Sequence, residues 1–318
     1  MTLALVDILA ASDVVYANMK PTPQYRWPLL CEVLGCELWV KHENHTPLGA
    51  FKVRGGLVYF DQLANEGALP AGVISATRGN HGQSVAYAAG RYGVPATIVV
   101  PHGNSVEKNA AMRSLGAVLI EHGDDFQASR EHAVQLAQER SLHYVPSFHP
   151  LLIRGVATYC LEFLQAADAL DVVYVPIGLG SGICAMIATR DTLGLETEIV
   201  GVVSAHALAY ARSFEAGTVI ESPVTTRLAD GMACRTPDPD ALDIISAGVS
   251  RIVEVTDDEV ADAMRLLFET THNTSEGAGA AAFAAACQDK SRLAGKCVGV
   301  VLTGSNVDRS LFAEVLNV

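Results

Sequence analysis

Residues 72–100, GVISATRGNHGQSVAYAAGRYGVPATIVV, decide which class of fold the chain can adopt. The stretch begins and ends with short apolar runs, 72–75 and 96–100, which predict two buried strands. Between them, residues 82–92 predict a helix. A strand, a helix and a second strand in such close succession form a parallel βαβ unit.

The same alternation continues along the chain. Further apolar runs predict strands at 117–120, 172–176, 199–203, 251–255 and 298–302, and helices are predicted near 125–140 and 153–167. We therefore predict an α/β fold of two parallel-sheet domains with helices on both faces of each sheet. A small, mobile α/β domain spans 72–148, and a discontinuous large domain comprises 1–71 and 149–318.

Local signals give details of the predicted helices. Asn104, with Glu107 three positions later, is predicted to cap a helix, and Thr256 with Glu259 has the pattern of a capping box. The stretch 217–250 contains several prolines, and we expect it to wrap the surface as a loose segment.

Composition excludes several classes of function. The 318 residues are 50% hydrophobic and 18% charged, which is not the composition of a disordered chain. Lysine and arginine number 22 against 35 acidic residues, for a net charge of −13. This charge argues against nucleic acid or an anionic membrane as the main partner. A small anionic ligand would have to be bound by local hydrogen-bond donors.

Cysteines and the N-terminus indicate the compartment. The seven cysteines are scattered and form no C-x-x-C pair, which favours a reducing environment. Asp7 interrupts the first apolar run, so the N-terminus does not resemble a signal peptide. The small-residue run 277–287 is too short to span a bilayer. We therefore expect a soluble cytoplasmic protein.

Residues 178–182, GLGSG, follow a predicted strand and precede a helix. Glycines let backbone N–H groups approach an anion, and the helix dipole favours negative charge, so the loop predicts a phosphate site. It could also be a turn that only packs helix on strand, or part of a dinucleotide fold. The dinucleotide fold expects an acidic residue after the next strand, and Ser204 stands there instead.

Three other segments carry polar or reactive side chains. In 49–56, GAFKVRGG, Lys52 has apolar neighbours and a nearby arginine, which would lower its pKa, although it could equally be a surface lysine. The segments 75–83, SATRGNHGQ, and 302–308, LTGSNVD, each follow a predicted strand. Both offer donors for a ligand, and both could be simple capping turns.

Together and in this order, the four segments resemble the fold-type II pyridoxal-phosphate enzymes, which share the fold of the tryptophan synthase β-subunit. The similarity is to the branch of threonine/serine dehydratases, also called ammonia-lyases, and serine racemase. It extends from Lys41 to Asp308 and implies pyridoxal 5'-phosphate as cofactor, bound by the large domain. It also implies a homodimer that binds a small amino-acid substrate.

The resemblance assigns site residues by position. Lys52 corresponds to the catalytic lysine that forms a Schiff base with the cofactor, Asn80 to the asparagine that bonds its ring hydroxyl, and Thr303 to the residue facing its pyridine nitrogen. The implied cofactor-binding residues are Phe51, Lys52, Asn80, Gly178, Leu179, Gly180, Ser181, Gly182 and Thr303. The implied substrate-binding residues are Thr77, Arg78, Asn80, His81 and Phe148. Glu276 matches a glutamate near the cofactor, without an assigned role.

The chain departs from the family pattern at four positions. Ala50 replaces a serine, and Leu179 interrupts the glycine run while keeping its N–H. Arg78 replaces the serine with which the racemase protonates the opposite face, so racemisation should be poor. Ser204 replaces a glutamate that binds a divalent metal in many relatives, so we assign no metal ligand. The matched length leaves no room for the C-terminal regulatory module of longer biosynthetic relatives, and we expect no feedback by isoleucine.

The predicted activity is the conversion of a β-hydroxy-α-amino acid to a 2-oxo acid and ammonia by a carbon–oxygen lyase. Threonine and serine are the default substrates by resemblance. Arg78 would favour 3-hydroxyaspartate if it reads a second carboxylate, and Phe148 would favour β-phenylserine if it faces an aromatic ring; both could instead be structural. A β-replacement synthase and a racemase are alternatives within the family. An NAD-dependent oxidoreductase and a non-catalytic amino-acid sensor are alternatives from other classes, opposed respectively by Ser204 and by the presence of Lys52.

Overall fold

The computed structural model describes residues 3–167 and 169–317. Its strands, numbered along the chain, are β1 Gln24–Arg26, β2 Glu37–His42, β3 Val73–Ala76, β4 Ala96–Val100, β5 Val118–Glu121, β6 His143–Tyr144, β7 Val172–Pro176, β8 Glu198–Ser204, β9 Arg251–Val255 and β10 Cys297–Leu302. They form one sheet of six strands and one of four.

The larger sheet has the order β1-β2-β10-β7-β8-β9, and only β1 runs antiparallel to its neighbour. The smaller sheet has the order β5-β4-β3-β6 and is parallel throughout. The predicted α/β fold is therefore confirmed. The strands of the smaller sheet all lie between residues 73 and 144, and the proposed domain boundaries remain a prediction.

Helices cover both faces of each sheet, because apolar side chains of the strands pack on both sides. The α-helices are α1 Leu5–Tyr16, α2 Pro28–Leu34, α3 Lys52–Asn65, α4 Asn80–Arg91, α5 Val106–Ser114, α6 Phe126–Glu139, α7 Pro150–Ala166, α8 Ser181–Thr192, α9 Ala209–Ala216, α10 Pro239–Gly248, α11 Asp257–Thr271, α12 Gly277–Gln288 and α13 Arg309–Leu316. No helix in the described part of the chain is both long enough and apolar enough to cross a bilayer.

Helix α12 explains the small-residue run noted in the sequence. It lies against strands β7 to β10 of the larger sheet, and its residues from Gly277 to Ala286 are buried. Alanine and glycine side chains let the helix approach the sheet closely, so the run forms core. The helix begins directly after Glu276, which the close packing brings to the carboxyl end of β10, where Glu276 N–H donates to Gly304 O.

Two local predictions are wrong. Ser105, not Asn104, caps α5, because its hydroxyl accepts from the N–H of Lys108; the Asn104 side chain instead donates to Asn109. The stretch 217–250 is not merely a surface wrap: it contains helix α10, and residues 230–234 line a deep cleft. The capping box of Thr256 and Glu259 is confirmed at the start of α11.

Candidate active site

A cleft of about 850 Å³, including its open mouth, lies where the carboxyl ends of strands from both sheets meet. Ligands of open α/β sheets bind at this edge. The loops after β3, β7 and β10 and the start of α3 all reach it. Of the predicted site residues, the structure brings together in its walls Phe51, Lys52, Thr77, Arg78, Asn80, His81, Gly178, Leu179, Gly180, Ser181, Gly182 and Thr303.

Lys52 is the first residue of α3 and projects toward the loop after β7. Its Nζ donates to Ser181 Oγ at 2.7 Å and lies 4.9 Å from the centre of the Phe51 ring. Burial of the amine lowers the pKa of Lys52 to about 8, because the ammonium form loses hydration. A substantial fraction of the amine is therefore neutral near physiological pH and able to act as a nucleophile or a base.

A buried ion cluster fixes the start of α3. Arg54, two residues beyond Lys52, is fully buried and donates to both oxygens of Glu43, Nε at 2.8 Å and Nη2 at 3.0 Å. Its Nη1 also donates to Glu162 at 2.6 Å. Lys41 forms a second ion pair with Glu162 at 2.5 Å. Bidentate pairs of this kind are geometrically specific, so the cluster holds the helix end that carries Lys52.

The loop 178–182 is shaped by its glycines. Gly180 adopts φ 102°, a conformation that favours glycine, and an added Cβ would lie 2.7 Å from that of Ala241. At Gly178 an added Cβ would lie 2.4 Å from the carbonyl oxygen of Gly231. Helix α8 begins directly after Gly180 without a side-chain cap. The first N–H groups of a helix have no partner within it, so this end of the cleft offers donors for an anion.

The loop 77–81 lies across the cleft. Thr77 Oγ1 accepts from the N–H groups of Gly79 and Gly82 at 2.9 and 3.2 Å, which folds the loop back on itself. Gly79 has φ 156°, and an added Cβ would lie 2.3 Å from Cδ of Lys108. The glycine is therefore required for the close approach of the lysine side chain to this loop.

Two side chains of this loop have buried polar atoms without partners in the described part of the chain. These atoms are Nε2 of His81 and Nε of Arg78. Burial, together with the nearby Lys52 charge, lowers the pKa of His81 to about 3, so its ring is neutral. Arg78 and His81 line the cleft, so these two atoms are available for hydrogen bonds to a ligand there.

An ionic network closes the far wall of the cleft. Lys108, on α5, lies between Asp230 at 2.7 Å and Glu276 at 3.0 Å. The two carboxylates raise the pKa of Lys108 despite the opposing effect of its burial, whereas burial is the largest cause of the raised pKa of Glu276. Glu276 also accepts from Asn80 Nδ2 at 2.6 Å, and Asn306 Nδ2 donates to Asn80 Oδ1 at 2.9 Å. The Asn80 amide is thus held from both sides.

Thr303 lies at the end of β10, on the floor of the cleft. Its side chain is buried, and its hydroxyl donates to the carbonyl oxygen of Ala278 at 3.3 Å. Its backbone carbonyl accepts from Phe51 N at 3.1 Å, which ties the β10 loop to the start of α3. The Thr303 hydroxyl is therefore a neutral hydrogen-bonding group on the floor of the cleft.

Phe148 is not among the residues that line the cleft. Its ring packs against the larger apolar core, beside Gly180, where an added Cβ would be 3.5 Å from Cε2. Its assignment as a substrate-binding residue stays a prediction. Sequence reasoning missed further lining residues: Lys108, Phe126, Ser147, Asp230, Met232, Ala233 and Cys234. No motif marks them, because they reach the cleft through the packing of separate elements.

The chain matches a family model and several known proteins. Residues 15–304 match a family described as pyridoxal-phosphate dependent enzyme. The L-threonine ammonia-lyase of Geobacter sulfurreducens is 39% identical over 313 residues, covering 97% of this chain and 77% of that protein. The L-threo-3-hydroxyaspartate ammonia-lyase of Saccharomyces cerevisiae is 31% identical, with 98% and 95% covered. The processed form of threonine deaminase isoform 2 from Solanum lycopersicum superposes with a TM-score of 0.89 at 28% identity, covering 98% of this chain and 91% of that one.

Proposed function

Because the chain belongs to the pyridoxal-phosphate-dependent enzymes, we propose that it is a lyase that deaminates a β-hydroxy-α-amino acid through loss of the β-hydroxyl. The products are a 2-oxo acid and ammonia. The observation that carries this proposal is the position of Lys52, whose partly neutral amine meets the glycine loop through Ser181 at 2.7 Å. Threonine and serine are the default substrates.

The residues of the cleft fit pyridoxal phosphate. The loop 178–182 and the start of α8 would hold the phosphate through backbone N–H groups. Asn80, whose amide is held by Glu276 and Asn306, would bond the ring hydroxyl, and Thr303 would face the ring nitrogen. The buried, unpartnered Nε2 of His81 is consistent with a ligand that completes this cleft.

The reaction needs a base at the α-carbon and a leaving group at the β-carbon. When bound, pyridoxal phosphate spreads the negative charge left at the α-carbon. Lys52 takes the α-proton as general base, and the β-hydroxyl leaves as water. Water then re-enters to release ammonia, so the sum of the steps consumes no water. Thr303 is neutral and does not require a protonated ring nitrogen, which favours prompt loss of the hydroxyl.

The loop 77–81 would orient the substrate carboxylate. The N–H groups of Asn80 and His81 open helix α4 and have no partner within it. Positioning two reacting groups in this way contributes several kcal/mol to catalysis. The relative from Saccharomyces cerevisiae supports 3-hydroxyaspartate as an alternative substrate. β-Phenylserine also remains open, with Phe126 in the lining of the cleft.

The test is a Lys52→Ala variant of the cofactor-loaded enzyme. We expect it to lose both the visible absorbance of the lysine-bound cofactor and the release of 2-oxo acid and ammonia from threonine and serine. Lys296→Ala is the matched control, because that side chain is 41% exposed, lies outside the cleft and forms a long ion pair, 4.0 Å, with Glu198. Full activity of Lys52→Ala would overturn the assignment, as would D-serine as the main product from L-serine.

We also propose that the protein works in the cytoplasm as a homodimer, as the family resemblance implies. All seven cysteines are free, which suits a reducing compartment. Helix α1 exposes Val6 and Leu9, which offer apolar surface to a second copy. Light scattering of the loaded enzyme measures the mass directly, and a monomer at all concentrations would contradict the homodimer.

A further inference from the structure

We propose that Arg78 determines substrate specificity by binding a second carboxylate, so that the preferred substrates are β-hydroxy-α-amino dicarboxylic acids such as L-threo-3-hydroxyaspartate. This inference rests on the proposed function, because it names the substrate class of the same site.

In the described lining of the cleft, Arg78 and Lys52 lack a carboxylate partner, and of the two only Arg78 keeps a full positive charge at every physiological pH. The Nζ of Lys108 forms ion pairs with carboxylate oxygens of Asp230 and Glu276, at 2.7 and 3.0 Å. Lys52 has its pKa lowered and is the amine assigned to the reaction. Within residues 3–167 and 169–317, no carboxylate lies within 4.0 Å of the Arg78 guanidinium, although the chain as a whole carries a charge of −13.

Part of the Arg78 guanidinium is buried and out of contact with water. Its Nε is buried and has no acceptor in the described part of the chain. Arginine cannot lose its proton in a protein, so the cost of this buried donor is not relieved by neutralisation. A planar carboxylate accepts two parallel hydrogen bonds from a guanidinium and would satisfy the buried donor.

The position of Arg78 separates this role from binding of the α-carboxylate. It lies between Thr77, at the end of β3, and the N–H groups of Asn80 and His81 that would receive the α-carboxylate. It also borders a second cleft of about 540 Å³, whose shared wall includes Lys108 and Glu276. The guanidinium therefore lies beside the carboxylate-binding loop, toward the adjoining space.

The cofactor phosphate does not compete for this cation. The donors for the phosphate are backbone N–H groups of 178–182, on the loop that follows β7 in the other sheet. Among the proposed substrates, threonine, serine and β-phenylserine have no second anion. A dicarboxylate can accept hydrogen bonds both from the N–H groups of Asn80 and His81 and from the Arg78 guanidinium.

The experiment compares kcat/KM of the loaded enzyme for L-threo-3-hydroxyaspartate and for threonine. For Arg78→Gln, we expect the ratio of the two values to fall by about 10- to 100-fold, the loss typical of hydrogen bonds to a charged group. Arg78→Lys should retain part of the ratio. Arg227→Gln is the matched control, because Arg227 is exposed and borders only the second cleft, and its ratio should equal that of the wild type.

A binding measurement needs neither a variant nor turnover. Succinate should bind the loaded wild-type enzyme about tenfold or more tightly than butyrate by calorimetry, since only succinate has a second carboxylate. The inference is overturned if the two acids bind equally, if threonine is the better substrate, or if Arg78→Gln lowers both kcat/KM values by one factor. If no hydroxy amino acid yields a 2-oxo acid, the proposed function fails, and the succinate comparison still decides the role of Arg78.

Discussion

At the scale of single residues, the burial of Lys52 changes the pKa of its amine and so its reactivity. A lysine in water has a pKa near 10.4, so at neutral pH it is almost wholly protonated and unreactive. Burial lowers the pKa of Lys52 to about 8 and leaves the amine anchored by one hydrogen bond to Ser181. Its position at the start of α3 is in turn fixed by Arg54 and its two glutamate partners. The position of the Lys52 amine is thus supported by a buried ion cluster whose residues do not line the cleft.

The pH dependence of cofactor attachment tests this environment. Only the neutral amine attacks an aldehyde, so the attachment rate of the cofactor-free enzyme should rise about tenfold per pH unit below pH 8 and level above it. Stopped-flow absorbance measures the rate. An unstructured lysine peptide is the control for ionisation of the cofactor, and its profile should still rise near pH 10. A profile of the enzyme that also rises to pH 10 would contradict the lowered pKa.

The sequence supports the prediction of individual site residues where a motif marks them. Lys52, Asn80 and Thr303 each lie in a short polar segment at a strand end or helix start, and the structure places all three in one cleft. Lys108 and Asp230 carried no such signal. Lys108 looks like an ordinary charge on an amphipathic helix, and it is buried by tertiary packing against Gly79, Asp230 and Glu276.

At the scale of elements, α5 and α13 cap each other beside the second cleft. Asp308, directly before α13, accepts from Ser105 Oγ and from the N–H groups of Val106 and Glu107 at the start of α5. Glu107 in return accepts from Arg309 N at 2.9 Å. Carboxylates at helix starts satisfy N–H groups and complement the dipole. Because α5 packs with the smaller sheet and α13 with the larger one, this contact joins the two.

Removal of the Asp308 carboxylate tests this contact. Asp308→Ala should lower the free energy of unfolding by about 1–2 kcal/mol, the usual cost of a lost cap. It should also raise KM, because α5 carries Lys108 into the cleft, while the visible absorbance of the bound cofactor is kept. Asp308→Asn, which retains one acceptor oxygen, is the control and should lose less. Wild-type stability and KM in Asp308→Ala would show that the contact is dispensable.

The bounds of several strands can be predicted from the sequence, because the burial of apolar residues determines them. The strands β4 and β7 have the predicted bounds, because each is a continuous, largely buried apolar run in a parallel sheet. The predicted bounds of β9 are also confirmed, although it is an edge strand with an exposed Glu254. The α5 cap was misplaced by one residue, since Asn104 and Ser105 are both good caps and the choice depends on distant Asp308. The prediction for 217–250 was wrong for a similar reason, because tertiary packing and not the local sequence places this stretch beside the cleft.

At the scale of the whole molecule, the net charge of −13 bears on how anions bind. The overall field repels an anionic ligand, so affinity must come from fixed local donors. The structure supplies these donors at two helix starts, α4 and α8, and at Arg78. Helix N–H groups and a guanidinium keep their charge distribution at every physiological pH, so these donors can bind an anion throughout that range.

Stability in acid is a property of the whole fold that follows from buried neutral histidines. The Nε2 of His42 accepts from Trp27 Nε1 at 2.9 Å, and its Nδ1 faces Asn44 Oδ1 at 3.2 Å. Burial, with the nearby His45, lowers the pKa of His42 to about 4, and burial lowers that of His81 to about 3. The unfolded chain binds these protons below about pH 6.5 and the folded chain does not. The contribution of these two histidines to the free energy of unfolding is thus fully present above pH 6.5. It is lost as the pH falls toward about 4 for His42 and about 3 for His81.

The predicted slope can be measured by urea unfolding between pH 4.5 and pH 6.5. Each of the two histidines should contribute up to about 1.4 kcal/mol per pH unit within this window. His42→Gln is the informative variant, because its amide oxygen can still accept from Trp27 but does not titrate. As the pH falls, the free energy of unfolding of His42→Gln should decrease less steeply than that of the wild type. The difference between the two slopes should equal the contribution of one histidine. An unchanged slope in His42→Gln would mean that His42 takes up its proton in the folded chain as readily as in the unfolded one, and that the Trp27 hydrogen bond does not keep the ring neutral.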